Sequence, residues 1–285
     1  MTLIWGGLSL GAIYAIVAIG YNIVFISSKT FNFAHAQLTM VGAFVAYTGL
    51  VTWDLPAVVV VAMAAAAVAV VAAIEERIAI RPVGDMHNIL VTTLGASILL
   101  DGIAQLTWGT QPLTVPFFGG DEAITLLGGR AYPVELFLIV LAVLLVVALG
   151  VYSRRSLTGL ALLGMAEDRE AALLRGVNVR RMAFMAFVAA GALAGFAGMF
   201  VGSKTFAVST LGAALALKGF VVLAIGGFGS MPGTLVGGTL VGLAEAYASR
   251  YLGGEFANLT VFLILITILM VRPAGLFVRT KERVV

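Results

Sequence analysis

Four ionisable side chains interrupt the apolar stretches of this sequence, and they are the residues best placed to do chemistry inside a membrane. They are His35, Asp101, Lys218 and Glu245. A charged Asp or Lys at the centre of a bilayer costs about 2.5–3.5 kcal/mol on insertion scales, so each must face protein or water. Glu245 could form a structural pair with Arg250 or Lys218. Asp101 could instead lie in a pathway and take part in an ion relay.

The sequence does not provide the residues of an ATPase or a metalloenzyme. It has no Gly-x-x-x-x-Gly-Lys-Ser/Thr motif, so it cannot build the phosphate-binding loop of an ATPase. It has two histidines and no cysteine, which makes a buried metal site or a catalytic triad improbable. We therefore predict no catalytic residues, no metal and no cofactor on this chain.

A charge-rich stretch at about 153–181 is the best candidate for meeting a soluble partner, and it contains six of the seventeen basic residues. Residues 164–175 are helix-prone and amphipathic, and Gly176 followed by Val177-Asn178 is typical of a helix exit. A short helix ended by a glycine turn can dock in a groove of a partner. A solvated loop whose charges only fix the topology is the alternative.

Asn32 and His35 bring polar side chains to the start of the second apolar segment. Asn32 can cap that helix. His35 lies one turn further, where it is costly unless it has a partner or water. It could line the inner mouth of a pathway, or it could hydrogen-bond a neighbouring helix and hold the bundle together.

The elements that position these residues are membrane helices. The 285 residues are 61% hydrophobic and 11% charged, whereas a soluble domain carries about 25% charged residues. Apolar runs near 20 residues recur along the chain, which predicts an all-α, polytopic transmembrane bundle of about eight or nine segments. The segments lie at about 3–26, 33–52, 56–74, 89–108, 133–152, 182–202, 215–229, 232–250 and 257–271. We predict a single domain over residues 1–285.

The positive charges predict the orientation of these segments. Thirteen of the seventeen Lys and Arg residues fall on one predicted side, in the joints at about 75–88 and 153–181, at Lys29 and in the C-terminal tail. The positive-inside rule places that side in the cytoplasm and the N-terminus outside. These charges therefore serve as orientation signals and do not indicate nucleic-acid binding.

A glycine-rich interruption divides the eighth predicted segment from the seventh. Residues 226–233 include Gly229, Pro232 and Gly233, and Gly and Pro at this density break helices. The break could be a tight cytoplasmic turn followed by small-residue packing of Gly238 and Gly242. It could also separate two half-helices that are re-entrant or line a pathway.

Several of these stretches together resemble the permease subunits of bacterial branched-chain amino acid importers of the ATP-binding cassette (ABC) type. The resemblance covers essentially the whole chain in one order. It rests on Gly7-Leu-Ser-Leu-Gly-Ala-Ile-Tyr-Ala15, Asn32-Phe-Ala-His35, Glu167-Asp168 through Gly176-Val-Asn178, residues 226–233 with the helix to Glu245, and Arg272-Pro-Ala-Gly-Leu-Phe277.

The resemblance implies partners and a site. It implies two ATPase subunits that carry ATP and Mg²⁺, a second related permease subunit, an extracytoplasmic solute-binding protein, and a location in the bacterial inner membrane. By the same resemblance, the coupling residues are Glu167, Asp168, Glu170, Ala171, Ala172, Gly176, Val177 and Asn178. The substrate, branched-chain amino acid, urea or amide, or aromatic acid, is not fixed by these motifs. An ion-coupled secondary transporter or channel is the alternative function.

Overall fold

The structure is a computed structural model that describes residues 1–83 and 85–277, and the described chain is almost entirely helical. Its helices are α1 (Thr2–Ser28), α2 (His35–Tyr47), α3 (Ala57–Glu75), α4 (Met86–Trp108), α5 (Pro133–Arg155), α6 (Leu157–Glu167), α7 (Arg169–Leu174), α8 (Val179–Thr205), α9 (Leu211–Gly226), α10 (Met231–Tyr251) and α11 (Gly254–Val271). Short π-helical turns, Thr48–Thr52 and Glu76–Ile80, extend α2 and α3. Strands β1 (Ile124–Leu126) and β2 (Gly129–Ala131) form an antiparallel hairpin.

The predicted all-α membrane bundle is confirmed, since each of the nine predicted apolar segments coincides with a helix. Within residues 1–83 and 85–277, six helices are long and apolar enough to cross a bilayer, or up to seven spans if the bent pair of α9 and α10 counts as one. These six are α1, α3 with its extension, α4, α5, α8 and α11. The α2 helix, with its π-helical extension, is shorter. The β hairpin lies in the loop between α4 and α5.

Helices α1 and α10 pack against each other through small residues along most of their length. Gly7 lies against Leu243 and Ala246, and Gly11 lies against the backbone of Gly238. As the residue number increases along α1, the number of the contacting residue on α10 decreases, so the two helices are antiparallel. Small residues allow helix backbones to approach closely in lipid, where burial of apolar surface does not drive association. The predicted small-residue packing of α10 is therefore present.

Helix α8 forms the second half of the interior, together with α2 and α3. A Cβ atom at Gly195 would lie 2.8 Å from the Cβ of Val68 on α3, and one at Gly42 would lie 2.8 Å from the Cα of Gly195. In the most apolar window of α1, 78% of the residues are buried, whereas in those of α4 and α11 only 17% are. Helices α1 and α8 are thus central, while α4 and α11 present apolar faces outward.

The two ends of α1 mark opposite faces of the bundle. At its N-terminal end, the Arg130 amide donates to Thr2 Oγ1 at 3.0 Å, so the β hairpin covers this end. At its C-terminal end, Arg169 of α7 donates to the carbonyl of Ser28 at 3.4 Å. Since α1 has 27 residues, these ends are about 40 Å apart. The hairpin and the α6–α7 segment therefore lie on opposite sides.

Candidate coupling surface and intramembrane polar groups

The charged segment predicted to dock a partner is built by three capping side chains. Ser156 Oγ accepts from the Gly159 amide at 2.9 Å and begins α6. Asp168 Oδ1 accepts from the amides of Glu170 and Ala171, each at 3.0 Å, and begins α7. Asn178 Oδ1 accepts from the Arg181 amide at 3.0 Å and begins α8. Side-chain caps of this kind satisfy amides that the first turn of a helix leaves unpaired.

The segment differs in one respect from the sequence prediction, which was wrong to place a single helix over residues 164–175. The structure has two helices there, because Asp168 has extended backbone with φ −147° and ψ 109°. The carboxylate of Asp168 caps the following amides, and this local bonding competes with a continuous helix. The chain therefore changes direction between α6 and α7.

Gly176 ends α7 in the way that its position predicts. Its φ is +84°, in the left-handed region. Its amide bonds to the Leu173 carbonyl at 2.9 Å, and the Val177 amide bonds to the Ala172 carbonyl at 3.1 Å. This pair of bonds is the Schellman motif, which favours glycine because a Cβ atom is strained at positive φ. The turn fixes the angle at which the chain continues into α8.

The α6–α7 segment has a buried face and an apolar exposed face. Met165, Ala172 and Val179 pack together in a small buried cluster. Leu173 and Leu174 point away from it and are 54% and 90% exposed. Beside them, a cavity of about 540 Å³ is lined by Leu173, Gly176, Val177, Asn178, Val179 and Arg180. Two exposed leucines next to a cavity on a rigid turn have the form of a contact surface for another protein.

The predicted coupling residues divide between this surface and its support. Glu167, Glu170 and Gly176 are exposed. Asp168 and Asn178 are exposed but are used as caps. Ala171 and Val177 are partly buried, and Ala172 is buried. The structure thus brings all eight residues into one segment, and no contact with a partner tests their role. Leu173 and Leu174 belong to the amphipathic stretch 164–175 of the sequence prediction, and Leu174 is the most exposed apolar side chain of the α6–α7 segment.

Asn32 and His35 lie in a buried polar cluster between α1, α2 and α3. Asn32 does not cap α2 as predicted, because its Oδ1 accepts from the Ala34 amide at 2.9 Å, ahead of the helix. His35 is buried against Gly20, and its ring centroid is 5.3 Å from that of Tyr21. The His35 Nδ1, Asn32 Nδ2 and Tyr21 hydroxyl have no hydrogen-bond partner within the described residues.

Glu75 completes this cluster and was missed by the sequence analysis. It is buried, both its carboxylate oxygens lack a hydrogen-bond partner among residues 1–83 and 85–277, and it interacts electrostatically with Asn32 and Tyr21. The predicted third segment ended at residue 74, so Glu75 was assigned to a joint. Its position directly after an apolar run and before Glu76 was the available signal.

Lys218 and Glu245 form an ion pair between α9 and α10, which is one of the two pairings predicted for Glu245. Lys218 Nζ also donates to the Tyr14 hydroxyl of α1 at 3.2 Å. The pair thus connects three helices. Arg250, the other predicted partner, is exposed.

Asp101 is not part of either polar group in the described structure. It is partly buried on α4, and its Oδ1 has no hydrogen-bond partner within the described residues. One turn earlier on α4, Ser97 accepts from the Gln37 side chain at 3.1 Å. Gln37 was not singled out in the sequence, although it follows His35 on α2.

The predicted helix break separates α9 from α10, whose axes are bent by 120°. Gly229 has φ +87°, and its amide donates to Asn22 Oδ1 of α1 at 2.7 Å. Pro232 lies in the first turn of α10, where its missing amide costs little. Gly233 packs directly on the backbone of Gly226. The break is therefore a fixed turn held by α1.

Two features bear on the prediction that there is no catalysis or metal. Residues 7–11 have the spelling Gly-x-Ser-x-Gly, but Ser9 is buried within α1 and donates to the Gly6 carbonyl at 2.8 Å, so it is not an exposed nucleophile. No group of three or more His, Asp or Glu residues that could hold a metal occurs in residues 1–83 and 85–277.

The glycine-packed helices, six of which in the described residues are long and apolar enough to cross a bilayer, define a polytopic helical membrane protein. Residues 3–272 match the family described as the permease component of branched-chain amino acid transport systems, and the chain belongs to this family. As a member, it is a transport subunit and not an enzyme.

Several curated proteins are similar over nearly the whole chain. The high-affinity branched-chain amino acid transport system permease protein LivH of Escherichia coli K12 is 30% identical over 97% of this chain and 95% of its own length. BraD of Pseudomonas aeruginosa is 30% identical over 96% and 94%. A probable LivH of Methanocaldococcus jannaschii is 24% identical over 95% and 90%. No solved structure matches the chain.

Proposed function

We propose that this chain is the membrane-spanning permease subunit of an ATP-driven importer for branched-chain amino acids or a related small polar solute. The observation that carries the proposal is the α6–α7 segment, with Leu174 90% exposed at a turn fixed by caps and by Gly176. Such a surface suits a soluble motor subunit. Membership of the family, and the names of its relatives, support the transport of amino acids.

The proposed partners are assigned to opposite faces of the bundle. Two ATP-binding cassette subunits, which supply ATP and Mg²⁺, dock on the α6–α7 face. An extracytoplasmic solute-binding protein delivers substrate to the face with the β hairpin. A second, related permease subunit pairs within the bilayer, where the apolar outer faces of helices such as α4 and α11 offer surface.

The proposed orientation places the N-terminus outside and the C-terminal end of the described chain in the cytoplasm of a bacterial inner membrane. Two contacts support it. The Gly229 amide bonds to Asn22 in the C-terminal half of α1, and the Leu276 amide bonds to the Ile225 carbonyl at 2.8 Å. Residues 272–277 therefore lie towards the same end of α1 as the α6–α7 segment, where the positive charges concentrate.

The geometry suggests how movement of a motor subunit reaches the membrane helices. Helix α7 is joined to α8 by the Gly176 turn and the Asn178 cap, and it contacts α1 through Arg169 and Ser28. Because α1 and α8 are the most buried spans, a displacement of α7 acts directly on the interior of the bundle. Alternating access would follow if the two helices shift relative to each other.

Replacing Leu174 by Asp tests the docking surface. We expect Leu174→Asp to release the ATPase subunits during co-purification from the native membrane, because a charge removes an apolar contact at an interface. The matched control is Leu127→Asp, since Leu127 is 78% exposed in the turn of the β hairpin on the opposite face. ATPase subunits that stay bound equally to both variants would count against the docking surface. A wild-type chain that purifies alone and moves solute down an ion gradient would favour an ion-coupled carrier.

A further inference from the structure

A second cavity lies at the end of the bundle where α7 meets α1, and it shares Arg180 with the cavity of the coupling surface. It has a volume of about 450 Å³. Its walls come from the C-terminal end of α1, the extension of α3, α4, α7 and the start of α8. The residues that matter for its chemistry are Lys29, Glu76, Arg81, Arg169 and Arg180.

The polar part of this cavity carries an excess of positive charge. It has four cations and one carboxylate, and the carboxylate already belongs to Arg81, whose Nε is 3.4 Å from Glu76 Oε1. Across residues 1–83 and 85–277, no carboxylate lies within ion-pair distance of Lys29, Arg169 or Arg180. Three uncompensated cations around one cavity repel one another unless an anion enters. The charge of the cavity therefore favours an anionic ligand over a cationic one.

The opposite wall of the cavity is apolar and belongs to the membrane-spanning helices. Ile80, Ile89 and Phe187 line it and belong to one buried cluster with Val24 of α1. The cavity thus places a basic rim beside an apolar wall at the end of the membrane spans. A soluble anion would use only the rim, whereas a phospholipid has a phosphate for the rim and acyl chains for the wall.

We infer that this cavity binds the phosphate of an anionic phospholipid. Basic pockets between transmembrane helices on the cytoplasmic side are suited to anionic headgroups. Arg169 and Arg180 supply planar guanidinium groups that bind phosphate oxygens in pairs, and Lys29 adds a point charge. The part of an acyl chain next to the headgroup contacts the small cavity-facing surface of Ile80, Ile89 and Phe187, which are otherwise buried. The cytoplasmic location rests on the proposed function, while the charge and shape of the cavity do not.

Binding of a lipid here has a consequence for coupling. Arg169 is the first residue of α7, and Lys29 and Ser28 are at the end of α1. A phosphate that bridges them holds the coupling segment against the interior of the bundle. The anionic lipid content of the membrane would then set how firmly α7 is held.

The test is a lipid titration of the purified full-length chain in detergent, followed by native mass spectrometry. We expect phosphatidylglycerol to bind and phosphatidylcholine to bind much more weakly. The variant Arg169→Gln/Arg180→Gln should bind phosphatidylglycerol about thirtyfold more weakly, because two charges are lost near the headgroup. Arg181→Gln is the matched control, since Arg181 is the exposed neighbour of Arg180 and does not line the cavity. Lys29→Gln alone provides a second, milder variant.

Each outcome decides the proposal. Equal binding of phosphatidylglycerol by the double variant and by Arg181→Gln would overturn it. Inorganic phosphate that competes as well as the lipid, with the same dependence on Arg180, would replace it with a soluble phosphate ligand. L-leucine that binds with this dependence would replace it with a site for the transported solute. The titration needs no ATPase, so a failed importer assignment leaves its result valid.

Discussion

Lys218 and Glu245 illustrate how charged residues are accommodated within this bundle. Both side chains are mostly buried, and they pair with each other beside the Tyr14 hydroxyl. The attraction between the two charges offsets much of the free energy that it costs to remove them from water. A single charge at this site would be buried without that compensation. This arrangement favours the structural interpretation of Glu245 over an ion relay.

Removing one member of this pair should destabilise the protein more than removing both. We expect Lys218→Met or Glu245→Gln alone to lower the free energy of unfolding by about 3 kcal/mol, because the remaining partner loses its hydrogen-bonded counter-charge in a buried site. The double variant Lys218→Met/Glu245→Gln should recover most of this loss. Thermal or denaturant unfolding in detergent measures the three values. A double variant as unstable as the sum of the single ones would exclude the pairing as the cause.

At the residue scale, the sequence predicts some of the buried polar side chains but not how they are arranged. Glu245 and Lys218 could be matched because both interrupt apolar helices. Glu75 was missed because the predicted segment ends where the apolar residues end, whereas the helix itself continues through Glu75 into the π-helical turn Glu76–Ile80. Asn32 has the residue type of a helix cap, yet its side chain turns the preceding loop. Which backbone amide a short polar side chain reaches depends on tertiary packing.

Among the elements, the turn after α7 allows a graded test of coupling. Gly176→Val should lower ATP-dependent uptake while the complex stays in the membrane, because a β-branched residue is strained at φ +84° and would change the angle between α7 and α8. Gly176→Asn should retain most uptake, since Asn tolerates the left-handed region. The measurement is uptake together with ATP hydrolysis in proteoliposomes. Full coupled uptake by the Val variant would contradict a role for this turn.

The contact between α1 and α10 predicts a large difference between two glycines. Gly242→Val should strongly lower the melting temperature, because a Cβ atom there would overlap the Gly11 backbone. Gly102→Val on α4 is the control, since a Cβ atom at Gly102 has no neighbour within 4 Å. A fluorescence melting curve in detergent compares them. Equal melting temperatures would show that the helices can separate without cost.

The sequence predicts the helices that coincide with the nine apolar segments well because each of these segments is a long apolar run. It does not predict that α6 and α7 are separate, since residues 164–175 have uniform helix propensity and the break depends on one carboxylate, Asp168. It also leaves the geometry at residues 226–233 open. There, the 120° bend is held by Asn22, which lies more than 200 residues earlier and has no local signature.

For the whole molecule, the proposed orientation can be tested by cysteine labelling, because the natural chain has no cysteine. In intact cells, a membrane-impermeant maleimide should label Asp121→Cys, in the exposed loop before the β hairpin. It should label His87→Cys, whose natural side chain is 90% exposed at the start of α4, next to the joint between α3 and α4, only after the membrane is made permeable. The reverse pattern would show that the N-terminus is cytoplasmic. Detergent-denatured samples, in which both sites react, control for expression.

The antiparallel contact between α1 and α10 also constrains how the chain is synthesised. Helix α1 leaves the ribosome before α10, and the glycines that face it, Gly238 and Gly242, follow more than 200 residues later. Until then Asn22 lacks the backbone groups of Gly229 and Ser230 that it binds in the folded protein. The newly inserted helix must therefore wait in the bilayer, or beside the insertion machinery, for its last partner. A ribosome that stalls before α10 would leave an incomplete subunit whose central helix is exposed to degradation by membrane proteases.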